Sequence, residues 1–150
     1  MPARTAASAL LGRWEPHTAA DLTAARLQLS EVASAVARPA GEAAERLELV
    51  FEELVSDALR HGGGRVEVIV HAAGSGRLLQ VVDAAGDSPP TTPAIDRDAA
   101  LGGLGLYLVA RLSSAHGWTP TDAGGKVVWA HVGSRPSSDA EETASARRTY

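Results

Sequence analysis

Three groups of residues in this chain have the types and the spacing to do chemistry. The first lies in Phe51-Glu52-Glu53-Leu54-Val55-Ser56-Asp57-Ala58-Leu59-Arg60-His61. On a helix Glu53, Asp57 and His61 fall four residues apart and line one face. Like charges at that spacing cost about 0.2–0.5 kcal/mol, and more where they are partly buried. A hard cation removes the cost, and Mg²⁺ suits the position because it takes oxygen ligands, keeps several waters and binds phosphate oxygens. The second is Asp83, which follows Leu79 and Val81 at period two on the inward face of a strand. A carboxylate facing inward has to be paired or hydrogen-bonded, and an ionised carboxylate only accepts, so it fits a donor such as an exocyclic amine. The third is Gly102-Gly103-Leu104-Gly105-Leu106. Glycines ahead of a helix let an anion approach the free N–H groups and the positive end of the helix dipole. Each group also has an ordinary reading: a solvated acidic face, an aspartate at a strand-to-turn boundary, a glycine hinge. His61 reads as a charge interacting with the C-terminal end of its helix dipole. Together and in order, the three supply a metal ligand, a base-reading group and a phosphate cradle, the parts of a magnesium–nucleotide site.

The surrounding elements follow from periodicity. Leu22, Arg26, Leu29, Val32 and Val36 recur at helical spacing, which predicts a helix from about Thr18 to Ala37, ended by Pro39. Leu47, Val50, Leu54 and Ala58 predict a second from about Gly41 to His61, stopped by Gly62-Gly63-Gly64. Val66, Val68 and Val70 share one face of a strand over Arg65 to His71, and a turn leads to a second strand, Leu78 to Asp83. A long polar stretch with three prolines, Ala84 to Ala100, has the character of a lid or a disordered segment. A third helix, with Leu104, Leu108 and Leu112 on its stripe, is expected from about Leu104 to His116. Strands near Trp118 to Asp122 and Lys126 to Val132 flank Gly124-Gly125, and Trp129 is expected in the core. This order gives an α+β two-layer sandwich. Residues 1–16 read as a poorly ordered N-terminus, 17–133 as the folded domain and 134–150 as a disordered tail with few large apolar groups.

Composition narrows the field. The 150 residues fit one domain, and 29 Ala among the apolar residues leave enough larger side chains for a single core. With 14 basic and 18 acidic residues the net charge is -4, which argues against a nucleic-acid-binding stripe. No stretch approaches the roughly 18 to 20 apolar residues of a membrane span, and the N-terminus is too weakly apolar for a secretory leader, so a cytoplasmic protein is expected. The absence of Cys removes disulfides, thiolate metal sites and cysteine nucleophiles. Lys126 is the one lysine beside 13 arginines, an imbalance that reads as coding bias without mechanistic weight.

The arrangement of the three groups resembles the GHKL ATP-binding family of histidine kinases, gyrase-type topoisomerases and heat-shock chaperones. Within it, the single-domain anti-sigma-factor serine/threonine kinases and similar actinobacterial regulators match best. The resemblance covers about residues 17 to 133. Glu53-Leu54-Val55-Ser56-Asp57-Ala58-Leu59-Arg60-His61 looks like the family's N box. It implies Glu53 as the general base or water-orienting residue and puts Asp57 where an asparagine usually ligates Mg²⁺. Asp83 falls on the aspartate that binds the adenine amino group. Gly86 stands beside the first glycine box. Gly102, Gly103 and Gly105, with Leu104 and Leu106, fall on the second, which closes the lid over the phosphates. Gly124-Gly125-Lys126-Val127-Val128-Trp129 looks like the final strand motif. The implied fold is the Bergerat-type two-layer sandwich, a mixed, mostly antiparallel sheet covered by helices on one face.

Three departures stand out. Asp57 replaces the asparagine and adds a negative charge near the phosphates. Ala85 replaces a glycine two residues after the aspartate, with Gly86 one place late. Val127 replaces a threonine that bonds near the adenine aspartate. The resemblance implies ATP and Mg²⁺ as cofactors, a serine-bearing anti-sigma-factor antagonist of STAS type as substrate, a sigma factor as a further partner, and a homodimer. Arg97, in the expected lid, is a candidate to reach a terminal phosphate. Two other readings stay open: a protein-binding module, nucleotide-gated or nucleotide-free, without phosphoryl transfer, which the departures motivate, and an orphaned sensor-kinase ATPase domain. The lack of a long amphipathic hairpin bearing a phosphoacceptor histidine speaks against the last.

Overall fold

The computed structural model describes residues 9–36, 41–61, 63–86 and 104–133. Eight elements follow in order: β1 (Ala9–Trp14), α1 (Ala19–Val36), α2 (Gly41–His61), β2 (Glu67–Ala73), β3 (Gly76–Asp83), α3 (Leu104–Leu112), β4 (Ala115–Pro120) and β5 (Lys126–Val132). The strands form one sheet in the order β1-β2-β3-β5-β4. Every neighbouring pair is antiparallel, so the expected two-layer α+β sandwich is realised without a parallel pair.

The core sits between the sheet and α2. Leu47, Val50, Phe51, Leu54, Val55 and Ala58 are buried along the helix. They meet Val68 and Val70 of β2, Leu79 and Val81 of β3, and Val128, Ala130 and Val132 of β5. Alternation along each strand sends these residues to one face. Trp129 therefore lies on the other face, half-buried and opposite Gln80, rather than in the core as its size suggests. Leu22, Ala25 and Leu29 of α1 close one side of the core. A capping arrangement starts α1: the Thr18 hydroxyl accepts from the Asp21 N–H at 3.2 Å, while an Asp21 carboxylate oxygen accepts from the His17 and Thr18 N–H groups at 2.9 and 3.1 Å. These backbone donors, that of His17 foremost, hold the Asp21 carboxyl below its ordinary range.

The N-terminal expectation needs correction. Residues 9–14 are not poorly ordered; they form the edge strand β1 on β2, with a register shift between Leu10 and Gly12. Two things tie the strand down. The Trp14 ring meets Phe51 edge-on with centroids 5.7 Å apart, and its N–H donates to Gln28 at 2.7 Å. Gly12 makes room for the ring, since a Cβ there would lie 2.2 Å from it. Residues 1–8 and the expected tail 134–150 lie outside the described residues. Several boundaries also move; β2, for one, runs over Glu67–Ala73, two residues later than expected. Helix α3 ends at Leu112 instead of continuing to His116: the Ser113 N–H still makes a helical bond to the Val109 carbonyl at 3.0 Å, but the Ser114 N–H leaves the helix and donates to the His131 carbonyl of β5 at 2.8 Å. Strand β4 accordingly begins at Ala115, three residues earlier than expected.

Candidate functional site

Helix α2 presents the acidic face. Its core stripe turns the helix so that Asp57 is buried, Glu53 half-buried and His61 exposed in the last turn. Burial, first, and then the charges of Glu52 and Asp57 push the Glu53 carboxyl above its ordinary range, and Arg60 pulls the other way. Glu52 itself is paired with Arg26 of α1, at 2.9 Å. Glu53 is thus a carboxylate with water on one side and acids near it, the environment that makes a stronger proton acceptor. Among the described residues no group of three or more His, Asp or Glu side chains could hold a metal ion. A cation at Asp57 would therefore need ligands that a nucleotide supplies, as Mg²⁺ commonly does.

Strand β3 positions Asp83. Its carboxylate is buried, as the alternation requires, and it is paired within the chain. Lys126 opens β5 directly across from it in the strand register. The Lys126 ammonium lies 2.9 Å from one carboxylate oxygen and 3.1 Å from the other, and both side chains are almost wholly enclosed. It also donates to the Ala85 carbonyl at 3.2 Å. The Ala85 N–H donates to an Asp83 oxygen at 2.9 Å, an Asx-type turn. The reading of Lys126 as coding bias therefore needs correction: it is the cation that neutralises the only buried carboxylate of the sheet among the described residues. The signal is present in the period. Lys126, Val128, Ala130 and Val132 alternate onto the core face, and a lysine there must meet a carboxylate.

The loops beside this pair are pressed together. The Gly86 N–H donates to the Gly124 carbonyl at 3.1 Å. A Cβ on Gly86 would come within 2.3 Å of the Gly124 carbonyl oxygen, and one on Gly125 within 2.0 Å of the backbone carbonyl oxygen of Asp83. Gly86 therefore has a packing reason to be glycine. Leu104, Gly105 and Leu106 form the first turn of α3, as expected of a helix start after glycines. Gly102, Gly103, Arg97 and the lid lie outside the described residues. Among those that are described, no helix is long and apolar enough to cross a membrane.

A two-layer sandwich with an acidic central helix, a carboxylate at the end of an inner strand and a helix after a glycine run is the layout of a nucleotide-binding ATPase domain. The family model for the histidine kinase-like ATPase domain matches residues 16–132. The chain belongs to that family. A comparison with curated proteins gives no match.

The residues test the implied ATP unevenly. The acidic face fits in kind: Glu53 is half-buried, and Asp57, one turn on, is a carboxylate of the type that Mg²⁺ takes as ligand. The base-reading carboxylate does not stand free for an adenine amino group, because Lys126 holds both of its oxygens.

Proposed function

We propose that the protein is an ATP-binding regulator of anti-sigma-factor type, a serine/threonine protein kinase that acts on an anti-sigma-factor antagonist of STAS type. ATP with Mg²⁺, when bound, supplies the phosphoryl group. What carries the reading is Glu53. It is half-buried, its carboxyl is raised by burial and by Glu52 and Asp57, and it lies one helical turn before Asp57. In this reading Glu53 orients the partner's serine hydroxyl and takes its proton. Asp57 ligates the metal. The turn at Leu104-Gly105-Leu106, with Gly102, Gly103 and Arg97, meets the phosphates. Asp83 accepts from the adenine amino group, with Gly86 in the adjoining loop. Such catalysis is mostly positioning and charge neutralisation. The resemblance further supports a cytoplasmic homodimer with a sigma factor as second partner.

The test is transfer of labelled phosphate from ATP to a serine-bearing antagonist by the intact chain, with the modified residue read by mass spectrometry. Serine phosphorylation that Glu53→Gln removes supports the kinase reading. Binding of the antagonist without transfer, at any ATP concentration, rejects it.

One observation favours a second reading. The Asp83–Lys126 pair leaves the base position filled from within, as a protein-binding module without phosphoryl transfer would tolerate. Under that reading Glu53→Gln leaves complex formation with the antagonist unchanged and wild type transfers nothing.

A further inference from the structure

We propose that Lys126 sets the nucleotide affinity of this site: it is an internal cation seated on the base-reading carboxylate, and it must withdraw before an adenine amino group can bind there. This rests on the reading of Asp83 as the adenine acceptor.

An ammonium has three hydrogens and no lone pair. Lys126 has three acceptors within 3.2 Å: both oxygens of Asp83 and the Ala85 carbonyl. Its hydrogen-bonding capacity is filled. Asp83 receives the ammonium on both oxygens and the Ala85 N–H on one. The Lys126 side chain is 4% exposed and that of Asp83 2%, so water does not compete for either. An incoming adenine amino group is a neutral donor. The bond it offers a buried carboxylate is weaker than the charge-assisted bonds it would displace.

Nor does the backbone give an easy way out. Asp83 and Lys126 are register partners at the ends of two adjacent inner strands, β3 and β5. The turn beyond them is locked by close approach of Gly125 to the Asp83 carbonyl and of Gly86 to Gly124. Parting the strands would break that packing. Opening is therefore a rotation of the Lys126 side chain, driven by contacts that the rest of the nucleotide makes. It follows that the wild-type chain gains little from the adenine base itself and separates ATP from GTP poorly. Removing the ammonium while keeping the length of the side chain frees Asp83 for the base.

The experiment compares equilibrium binding of ATP and GTP, both with Mg²⁺, to the intact wild-type chain and to Lys126→Met. The expected result is at least tenfold tighter ATP binding in the variant with GTP unchanged. Equal or weaker ATP binding in the variant overturns the proposal while leaving the site a nucleotide site. Equal tightening for ATP and GTP overturns it too, since the gain would then not be read through the base. Failure of both proteins to bind either nucleotide overturns this proposal together with the ATP reading. A second measurement does not depend on the variant's folding. Lys126 is the only lysine, so acylation of its amine in the wild-type chain by an activated ester reports one site, resolved from the N-terminal amine by peptide mass. The expected result is slow labelling of the free protein that quickens with ATP. Labelling at the rate of an exposed lysine without nucleotide contradicts a seated cation.

Discussion

Asp83 and Glu53 are both carboxylates on the margin of one core, yet their surroundings leave them with opposite characters. Asp83 ends a strand, is buried and has a lysine on both of its oxygens. Glu53 rides on the exposed shoulder of α2, is half-buried and has acids as neighbours. Burial, first, raises the Glu53 carboxyl above its ordinary range. The partner decides which one becomes reactive. A cation makes Asp83 a structural ion and closes it to an outside ligand, while Glu52 and Asp57 leave Glu53 short of compensation and therefore basic. The proposed nucleotide site thus has a prepared chemical end and a guarded base end.

The largest way to break this comparison is to remove the cation. Lys126→Met leaves a buried carboxylate without its counter-ion and should cost about 3–5 kcal/mol in denaturant unfolding, because truncating one partner of a buried pair exposes the full desolvation penalty. The double variant Asp83→Asn with Lys126→Met should recover most of that loss. If Lys126→Met costs under about 1 kcal/mol, the pair is behaving like a solvent-exposed one.

The next prediction acts on the other carboxylate. Glu53→Gln should lower phosphoryl transfer at least about 100-fold, the lower end of what a positioned general base contributes. Its effect on stability has the opposite sign to that of Lys126→Met. The Glu53 carboxyl is raised on folding, so the native chain holds more protons than the unfolded one between the ordinary and the raised value. The stability contributed by this group is then present at low pH and lost as pH rises through the raised value. Glu53→Gln should therefore melt higher than wild type at neutral pH, and the difference should vanish below the ordinary carboxylate range.

The smallest expected effect sharpens the cause of the Glu53 shift. Of the two neighbouring carboxylates, Glu52 acts on Glu53 more strongly than Asp57, so Glu52→Gln should move the acid limb of the transfer-rate profile to lower pH. It also dissolves the exposed pair with Arg26, a loss of at most about 1 kcal/mol. An acid limb that does not move would assign the Glu53 shift to burial and Asp57, without Glu52.

Periodicity carries much of this fold. The bounds of α2 and the shared faces of Val66, Val68 and Val70, and of Leu79, Val81 and Asp83, follow from spacing alone and recur in the folded chain. Strand β1 is not legible in the same way because Ala9–Trp14 has no clean alternation. It is an edge strand held by one tryptophan lying over a glycine and against a helix far along the chain. The end of α3 is hidden too, because an apolar stripe says nothing of where Ser114 turns its N–H from the helix to the His131 carbonyl of β5. For Trp129, size points to the core, while its position between Val128 and Ala130 sets it on the opposite face, and position wins. Lys126 teaches the same lesson. Its rarity suggests coding bias, but its place in the alternation of β5 puts an ammonium on the core face, where an inward carboxylate such as Asp83 is the partner it requires.

The measurement that tests the account most directly is titration calorimetry of the intact wild-type chain with ATP, with and without Mg²⁺. A working nucleotide site gives saturable heat that requires magnesium. No heat up to millimolar ATP at two temperatures, chosen so that a vanishing enthalpy at one cannot hide binding, would contradict a working nucleotide site.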